Sequence, residues 1–330
     1  MENKLLIDKY GRQLTYLRLS VTDRCNFRCY YCMPEEGVNF AKRSDLLSFN
    51  EMYLLSNIFC SMGVSKIRIT GGEPFVRAGL IPFLENISAI PGLQEISITS
   101  NGSFTTKNIL ALKEMGIKKI NLSLDSLDRN RFYEITRRDS FESVYAGVFK
   151  LLEHGFDVKL NCVLAEGKNT EDIIPFVELT KNHDLSVRFL EEMPFNGSDS
   201  FAVPIWDHKE VYRYINQHFP VIHKLESEIS STSVNYKIPG YKGSFGIIPS
   251  FSRTFCGTCN RIRLSATGEL RTCLYGPAAV NLRDVMRAGA SEEEIQEEIL
   301  AAVSMRAKNG FEAEALSNEV AHKSMSFLGG

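Results

Sequence analysis

The sequence predicts an α/β fold: a partial, open TIM-type βα barrel of about six units, followed by a C-terminal segment of different character. Two observations carry this. From Leu14 to about residue 218, short β-branched or apolar runs alternate with amphipathic helical stretches, the pattern of repeated βα units on a parallel sheet. Helix-ending glycines at Gly63, Gly116 and Gly155 are each followed by an alternating apolar strand, a repeated architecture with unequal spacing.

The strands are expected at Thr15 to Val21, Lys66 to Thr70, Glu95 to Thr99, Lys118 to Leu124, Asp157 to Val163 and Val187 to Glu191, each followed by a helix. Ser48-x-x-Glu51 reads as a capping box with Gly63 as the stop, and Asp139-x-x-Glu142 as the start of a helix ending before Gly155. Six units fall short of the eight of a complete barrel, so the barrel is expected to stay open, with its functional loops at the C-terminal ends of the strands. Residues 1–218 form this barrel in the sequence reading. Residues 219–330 bring short polar strands, turn residues at Pro239-Gly240-Tyr241-Lys242-Gly243, a second cysteine group, and two helices. The second of these starts at the capping box Ser291-x-x-Glu294.

With 330 residues, 44% hydrophobic and 24% charged, the composition is that of an ordinary globular chain with a full core. A formal net charge of −2 argues against a nucleic-acid binder, so an anionic ligand must be held by local basic residues. The chain opens Met1-Glu2-Asn3-Lys4 with Asp8 and Lys9 close behind, and no apolar run is long enough to span a bilayer. A cytoplasmic protein without a membrane partner is therefore expected. In that compartment cysteines stay reduced and clusters of them read as metal sites.

Cys25, Cys29 and Cys32 form a C-x3-C-x2-C run directly after the first strand, where functional loops of such folds belong. Structural zinc wants four ligands, commonly in two short pairs, and this run has no fourth partner nearby. Three thiolates instead suit a cubane cluster of four irons that keeps one iron without a protein ligand. Cys256-x2-Cys259-x13-Cys273 supplies three more, with Arg261-Ile262-Arg263 between them on a strand that points both arginines to one side. Cys60 and Cys162 stand alone in apolar patterns and read as core. Thr70-Gly71-Gly72-Glu73-Pro74 ends the second strand and, taken alone, reads as a turn.

The first cysteine run, with an aromatic residue before its last cysteine, resembles the radical S-adenosylmethionine (SAM) superfamily. There SAM binds the open iron, and an electron from the cluster cleaves it to a 5'-deoxyadenosyl radical. The resemblance implies that the backbone at Gly72 meets the SAM amino group, Tyr31 lies by the adenine, Ser123 reaches the methionine portion and Met193 packs on the adenosine. Read without the resemblance, Ser123 is equally a strand-end hydrogen-bonding residue and Met193 core filling.

The two cysteine groups, the Arg-x-Arg, the Gly-Gly-Glu-Pro segment and the terminal Gly329-Gly330 together resemble the GTP 3',8-cyclase family of molybdenum-cofactor biosynthesis, from about Leu14 to Gly330. That resemblance implies two 4Fe-4S clusters and SAM as cofactors. Its activity is conversion of GTP to (8S)-3',8-cyclo-7,8-dihydroguanosine 5'-triphosphate, a lyase reaction. Arg18, Arg68, Thr99, Lys159, Arg261, Ile262 and Arg263 would hold GTP, with Arg188 and Arg271 as additions. The three cysteines of the first set, Arg261, Arg263 and the terminal glycines would carry the catalytic steps. Expected partners are a one-electron donor protein and a downstream cyclic pyranopterin monophosphate synthase; a homodimer is left open. The rivals are another radical SAM enzyme with an auxiliary cluster, such as a peptide-modifying one, and a non-catalytic iron–sulfur sensor.

Overall fold

The computed structural model describes residues 4–195, 203–316 and 324–328. Six parallel strands, β1 (Tyr16–Ser20), β2 (Lys66–Thr70), β3 (Glu95–Ser100), β4 (Lys119–Ser123), β5 (Asp157–Leu164) and β6 (Ser186–Glu191), lie side by side in sequence order. Their ends fall within one or two residues of the sequence expectation. Six shorter strands follow: β7 (His223–Lys224), β8 (Val234–Lys237), β9 (Ser244–Ile248), β10 (Arg261–Leu264), β11 (Glu269–Arg271) and β12 (Val280–Asn281).

These later strands extend both edges of the same sheet. β9 pairs parallel with β6, and β10 pairs parallel with β1, giving a 12-stranded order β12-β11-β10-β1-β2-β3-β4-β5-β6-β9-β8-β7. Among the described residues no ladder joins the two ends, so the barrel is open. The run of parallel neighbours from β10 to β9 is thus longer than the six units expected, because the C-terminal region donates a strand to each side.

Alternation along the strands separates two environments, as a period of two requires. Leu17, Ile67, Ile98, Ile120, Leu160 and Phe189 face the helices and are fully buried in one continuous core. The intervening positions are mostly polar and face the barrel interior, which is therefore a ligand cavity and not a packed core.

The helices begin largely where side-chain chemistry dictates. Ser48 accepts from Glu51 N while Glu51 accepts from Ser48 N, and Ser291 and Glu294 repeat this reciprocal cap at the helix Glu292–Ser304. The expected cap at Asp139 is not formed. The helix Phe141–Glu153 has Ser140 at its N-cap with no side-chain bond, and Asp139 pairs with Arg129 at 3.0 Å. A guanidinium offers the carboxylate a charge-assisted partner that outcompetes the helix N–H groups.

Candidate active site

A cavity of about 600 Å³ runs through the barrel from Gly72 and Ser123 at the C-terminal ends of the strands to Tyr16, Lys66 and Lys119 at their starts, within the size range of small-molecule sites. Cys25, Cys29 and Cys32 line one part of its wall and Cys256, Cys259 and Cys273 another. All are free thiols. Cys60 and Cys162, in contrast, are buried in the core as expected.

The first cysteine loop is held by its neighbours' backbones. Gly72 N donates to Thr22 O at 2.7 Å and Glu73 N to Arg24 O at 2.9 Å. A Cβ on Gly72 would meet Arg24 O at 2.4 Å, and one on Gly71 would meet Thr22 O at 2.6 Å. The glycines thus let the loop after β2 press against the root of the cysteine loop, a close approach between two parts of the chain. Glu73 carries the bracing one strand further. Its buried carboxylate accepts from Ser100 Oγ at 2.9 Å and Asn101 N at 2.6 Å, fixing the loop after β3. Burial pushes its carboxyl up to about 7 against these hydrogen bonds.

Tyr31 donates to Asp125 Oδ2 at 2.8 Å, and Asp125 also accepts from Val163 N at 2.9 Å. Burial raises Asp125 to about 6 despite both donors. Ser123 at the end of β4 and Met193 beyond β6 both face the cavity with Gly72 and Tyr31. Burial raises the thiols of Cys25, to about 11, and of Cys32, to about 12, and holds that of Cys29 well above its ordinary value.

The second cysteine set is bound to the N-terminal segment. Asp8 is buried and pairs with Arg12 at 2.6 Å and Arg306 at 3.5 Å. Arg12 donates to Cys256 O at 3.0 Å and Ala307 O at 2.7 Å, while Arg306 donates to Cys259 O at 2.9 Å. Gly310 N reaches Cys256 Sγ at 3.4 Å and Arg261 Nη1 reaches Cys259 Sγ at 3.7 Å. Burial raises Cys259, but the guanidiniums of Arg261 and Arg306 outweigh it and bring the thiol down to about 7. Two three-thiol donor sets, each free and each opening on the cavity, are chemically suited to iron–sulfur clusters with one iron left for a ligand.

Between the cysteine sets the strands present cations. Arg18 lies directly opposite both Arg68 and Arg263 in the parallel ladders. Arg68 donates through Nε to Tyr16 Oη and through Nη1 to Thr99 Oγ1 at 3.4 Å. Lys159 and Arg188 add charge from β5 and β6, with Lys159 paired to Asp157 at 3.1 Å. Burial, then the charge of Arg263, drives Arg18 well below its ordinary value. Burial lowers Arg188 and Arg263 to about 10. The buried Nε atoms of Arg18 and Arg188 have no hydrogen-bond partner among the described residues. Crowded, partly unsatisfied guanidiniums form a site suited to a multiply charged anion.

Ile262 is fully buried in the apolar core on the strand face opposite Arg261 and Arg263, so its side chain does not meet the cavity. Arg271 is the ladder partner of Arg263, but its guanidinium is bonded to Glu269 at 2.7 Å and Gly276 O at 2.7 Å and does not line the cavity. Gly329 and Gly330 lie outside the described residues. Conversely, Tyr16 and Lys66 face the cavity and were not singled out. The signal was present, since each sits two residues before a cavity arginine on its strand. Burial raises Tyr16, but Arg68 and Arg18 overcome it and lower the phenol to about 8.

Comparison with known proteins agrees with this geometry. The Radical SAM superfamily profile matches residues 19–180 and that of Molybdenum Cofactor Synthesis C matches residues 185–312. The chain is 44% identical over 302 residues to molybdenum cofactor biosynthesis protein 1 of Bos taurus, covering 91% of this chain and 48% of the relative. It is 38% identical over 300 residues to the GTP 3',8-cyclase of Moorella thermoacetica, covering 91% and 93%. The chain thus spans about half the length of the first curated relatives it matches. Streptococcus suis SuiB shares the fold, with a TM-score of 0.59 at 14% identity over 89% of this chain and 67% of that one.

Fold and first cysteine loop define a radical SAM protein, a class that carries one 4Fe-4S and SAM site. Within that class, the chain belongs to the GTP 3',8-cyclase family of molybdenum-cofactor biosynthesis. No helix among the described residues is long and apolar enough to cross a membrane.

Proposed function

We propose that this chain is a GTP 3',8-cyclase, a lyase that converts GTP to (8S)-3',8-cyclo-7,8-dihydroguanosine 5'-triphosphate. The observation that carries the reading is that two three-cysteine sets face one cavity whose strands present a cluster of arginines. Cys25, Cys29 and Cys32 would hold the cluster that meets SAM, and Cys256, Cys259 and Cys273 a second 4Fe-4S cluster. When bound, these groups supply the electron that cleaves SAM and an open iron for the purine.

The protein's own residues bind and orient. Gly72, Tyr31, Ser123 and Met193 form the SAM side, with Asp125 fixing the Tyr31 ring through its hydroxyl. Arg18, Arg68, Lys159, Arg261 and Arg263, joined by Thr99, hold the triphosphate through charge-assisted bonds. The backbone of Ile262 spaces the two arginines on one face of β10. Gly329 and Gly330 are assigned to catalysis on the family resemblance of the terminal diglycine. In this division residues 1–218 make the radical and bring Arg18, Arg68, Thr99 and Lys159 to the triphosphate, while residues 219–330 hold the second cluster and add Arg261 and Arg263 to the substrate site. A one-electron donor protein and a cyclic pyranopterin monophosphate synthase that takes the product are the partners proposed, in the cytoplasm.

The test is anaerobic reconstitution of the full chain, followed by mass analysis of the products from SAM, reductant and GTP. Cyclised dihydro-GTP with 5'-deoxyadenosine is expected, and ATP in place of GTP should give no cyclised product. SAM cleavage with no nucleotide product from GTP would overturn the reading.

A further inference from the structure

Cys25 differs from an isolated loop thiol in having its sulfur approached by an amide from another strand's loop. Asn101 Nδ2 lies 3.7 Å from Cys25 Sγ, and Phe27 N lies 3.4 Å from it. The same Nδ2 donates to Asn26 Oδ1 at 2.9 Å. At ordinary precision the oxygen and nitrogen of an asparagine amide are told apart by their partners. Here the assignment is forced. Asn101 Oδ1 accepts from Ser103 N at 3.0 Å and from Ser103 Oγ at 2.6 Å, and the backbone N–H cannot accept in return. The amide is therefore locked with its NH2 toward the sulfur.

The lock is anchored well away from the sulfur. Asn101 is 9% exposed, and its own N–H is held by Glu73 Oε2 at 2.6 Å. Glu73 in turn bonds through its N–H to Arg24 O, one residue before Cys25. Asn26, one residue after Cys25, reaches Ser103 Oγ at 3.0 Å through its Nδ2. A closed ring of hydrogen bonds thus runs from one side of Cys25 to the other through Glu73, Asn101 and Ser103.

We propose that Asn101 is a positioning residue that sets the reduction potential of the first cysteine site, by donating a hydrogen bond to the Cys25 sulfur. The inference rests on the reading of Cys25 as a ligand of an iron–sulfur cluster. A donor to a ligating thiolate draws negative charge off the sulfur and stabilises the reduced, more negative cluster, which raises its potential. A buried, rigidly oriented donor does this without reorganising when the electron arrives. Asn26, which shares the amide, aligns the donor and does not itself meet the sulfur.

The experiment is an EPR-monitored redox titration of the reconstituted full chain, wild type against Asn101→Ala and Asn101→Asp, with iron content measured on each. Both variants should show a lower midpoint, Asn101→Asp the lower of the two, since it removes the donor and adds a carboxylate. A tenfold smaller reduced fraction at fixed poise corresponds to about 59 mV for a one-electron couple. Ser103→Ala, which removes one of the two donors on Asn101 Oδ1 without touching the loop's apolar packing, should give a shift of the same sign and smaller size. It also decides the matter if the Asn101 variants fail to load iron. Unchanged midpoints in loaded variants would overturn the inference while leaving the cluster in place. A wild type that takes up no cluster would instead overturn the reading beneath it.

Discussion

The Ser324 hydroxyl donates to the carbonyl oxygen of Cys32 at 2.6 Å, joining residues 292 positions apart. Both Ser324 and Ser326 are buried, with their hydroxyls 2.9 Å apart, and Met325 N donates to Phe195 O at 3.0 Å. Leu328 packs in a small apolar cluster with Phe195 and Tyr275, and Tyr275 follows Cys273 by two residues. The tail segment therefore contacts the first cysteine loop while resting on the region of the second. Ser324→Ala removes one such bond and should weaken docking by about 0.5–1.5 kcal/mol, or about two- to tenfold in the docked population. Faster amide exchange across residues 324–328 and a lower ratio of cyclised product to 5'-deoxyadenosine are the expected readings. No change in either would show that this bond does not secure the tail.

Gly72→Ala should be among the most damaging single-atom additions in the chain. The added Cβ would sit 2.4 Å from Arg24 O, a backbone atom of the cysteine loop that cannot rotate away. Relieving such an overlap costs about 1–3 kcal/mol and moves backbone. The expected result is a lowered melting temperature together with loss of SAM binding, measured by calorimetry. Full SAM affinity in this variant would mean the cysteine loop can shift freely, contrary to the bracing described.

What could be read from the sequence follows from how local each feature is. The alternating runs fix β1 to β6 because the period of two is written in adjacent residues, and the capping boxes at Ser48 and Ser291 span only four positions. The pairing of β10 with β1 is different. Asn260 Nδ2 bonds Thr15 Oγ1 across 245 positions, and no local pattern in a four-residue strand names so distant a partner. The Arg-x-Arg was legible as a charged face, but its placement beside Arg18 was not. Asn101 and Ser324 escaped notice for the same reason, since each acts on a cysteine loop far away in sequence.

The two cysteine sets should separate in function. Replacing Cys25, Cys29 or Cys32 with Ala should abolish SAM cleavage, whereas replacing Cys256, Cys259 or Cys273 should leave some uncoupled cleavage and prevent cyclisation. The reconstituted wild type should hold about eight irons per chain and each set of variants about four. Iron analysis and 5'-deoxyadenosine yield check this. If a folded variant of the second set lost SAM cleavage as completely as the first, the proposed division would be wrong.

Glu73 gives the stability of the chain a pH dependence of defined sign. Its folded carboxyl titrates at about 7, above the ordinary 4.5, so the folded state holds the proton more tightly. Stability from this group is complete below about 4.5, declines as pH rises toward 7 and is level above it. At about 1.4 kcal/mol per unit the decline is on the order of 3 kcal/mol, with the hydrogen bonds from Ser100 and Asn101 to the ionised form already reflected in the value of about 7. Asp125, raised to about 6, acts in the same direction. Thermal unfolding of wild type and Glu73→Gln at pH 5 and pH 8 isolates the contribution, and the variant should show the flatter profile. Parallel profiles would exclude a titrating Glu73.

Arg18 stands between Arg68 and Arg263 in the strand ladders, so three like charges occupy adjacent positions on one buried face. Burial and the charge of Arg263 both act against its ionised form, and its Nε has no partner among the described residues. Such an arrangement opposes folding in the absence of an anion and is relieved when one binds. Arg18→Met keeps a long side chain while deleting the charge, so without GTP the variant should melt no lower than wild type. GTP binding should weaken by about 1.5–3 kcal/mol, the range for hydrogen bonds to charged groups. Its dependence on ionic strength should also become shallower, because one cation fewer meets the triphosphate. SAM affinity is the control, since Gly72, Tyr31 and Met193 are untouched. Calorimetry of both ligands at two salt concentrations, with thermal melts of the free protein, makes the comparison. A variant that melts lower and binds GTP as wild type does would identify Arg18 as a structural residue and not part of the anion site.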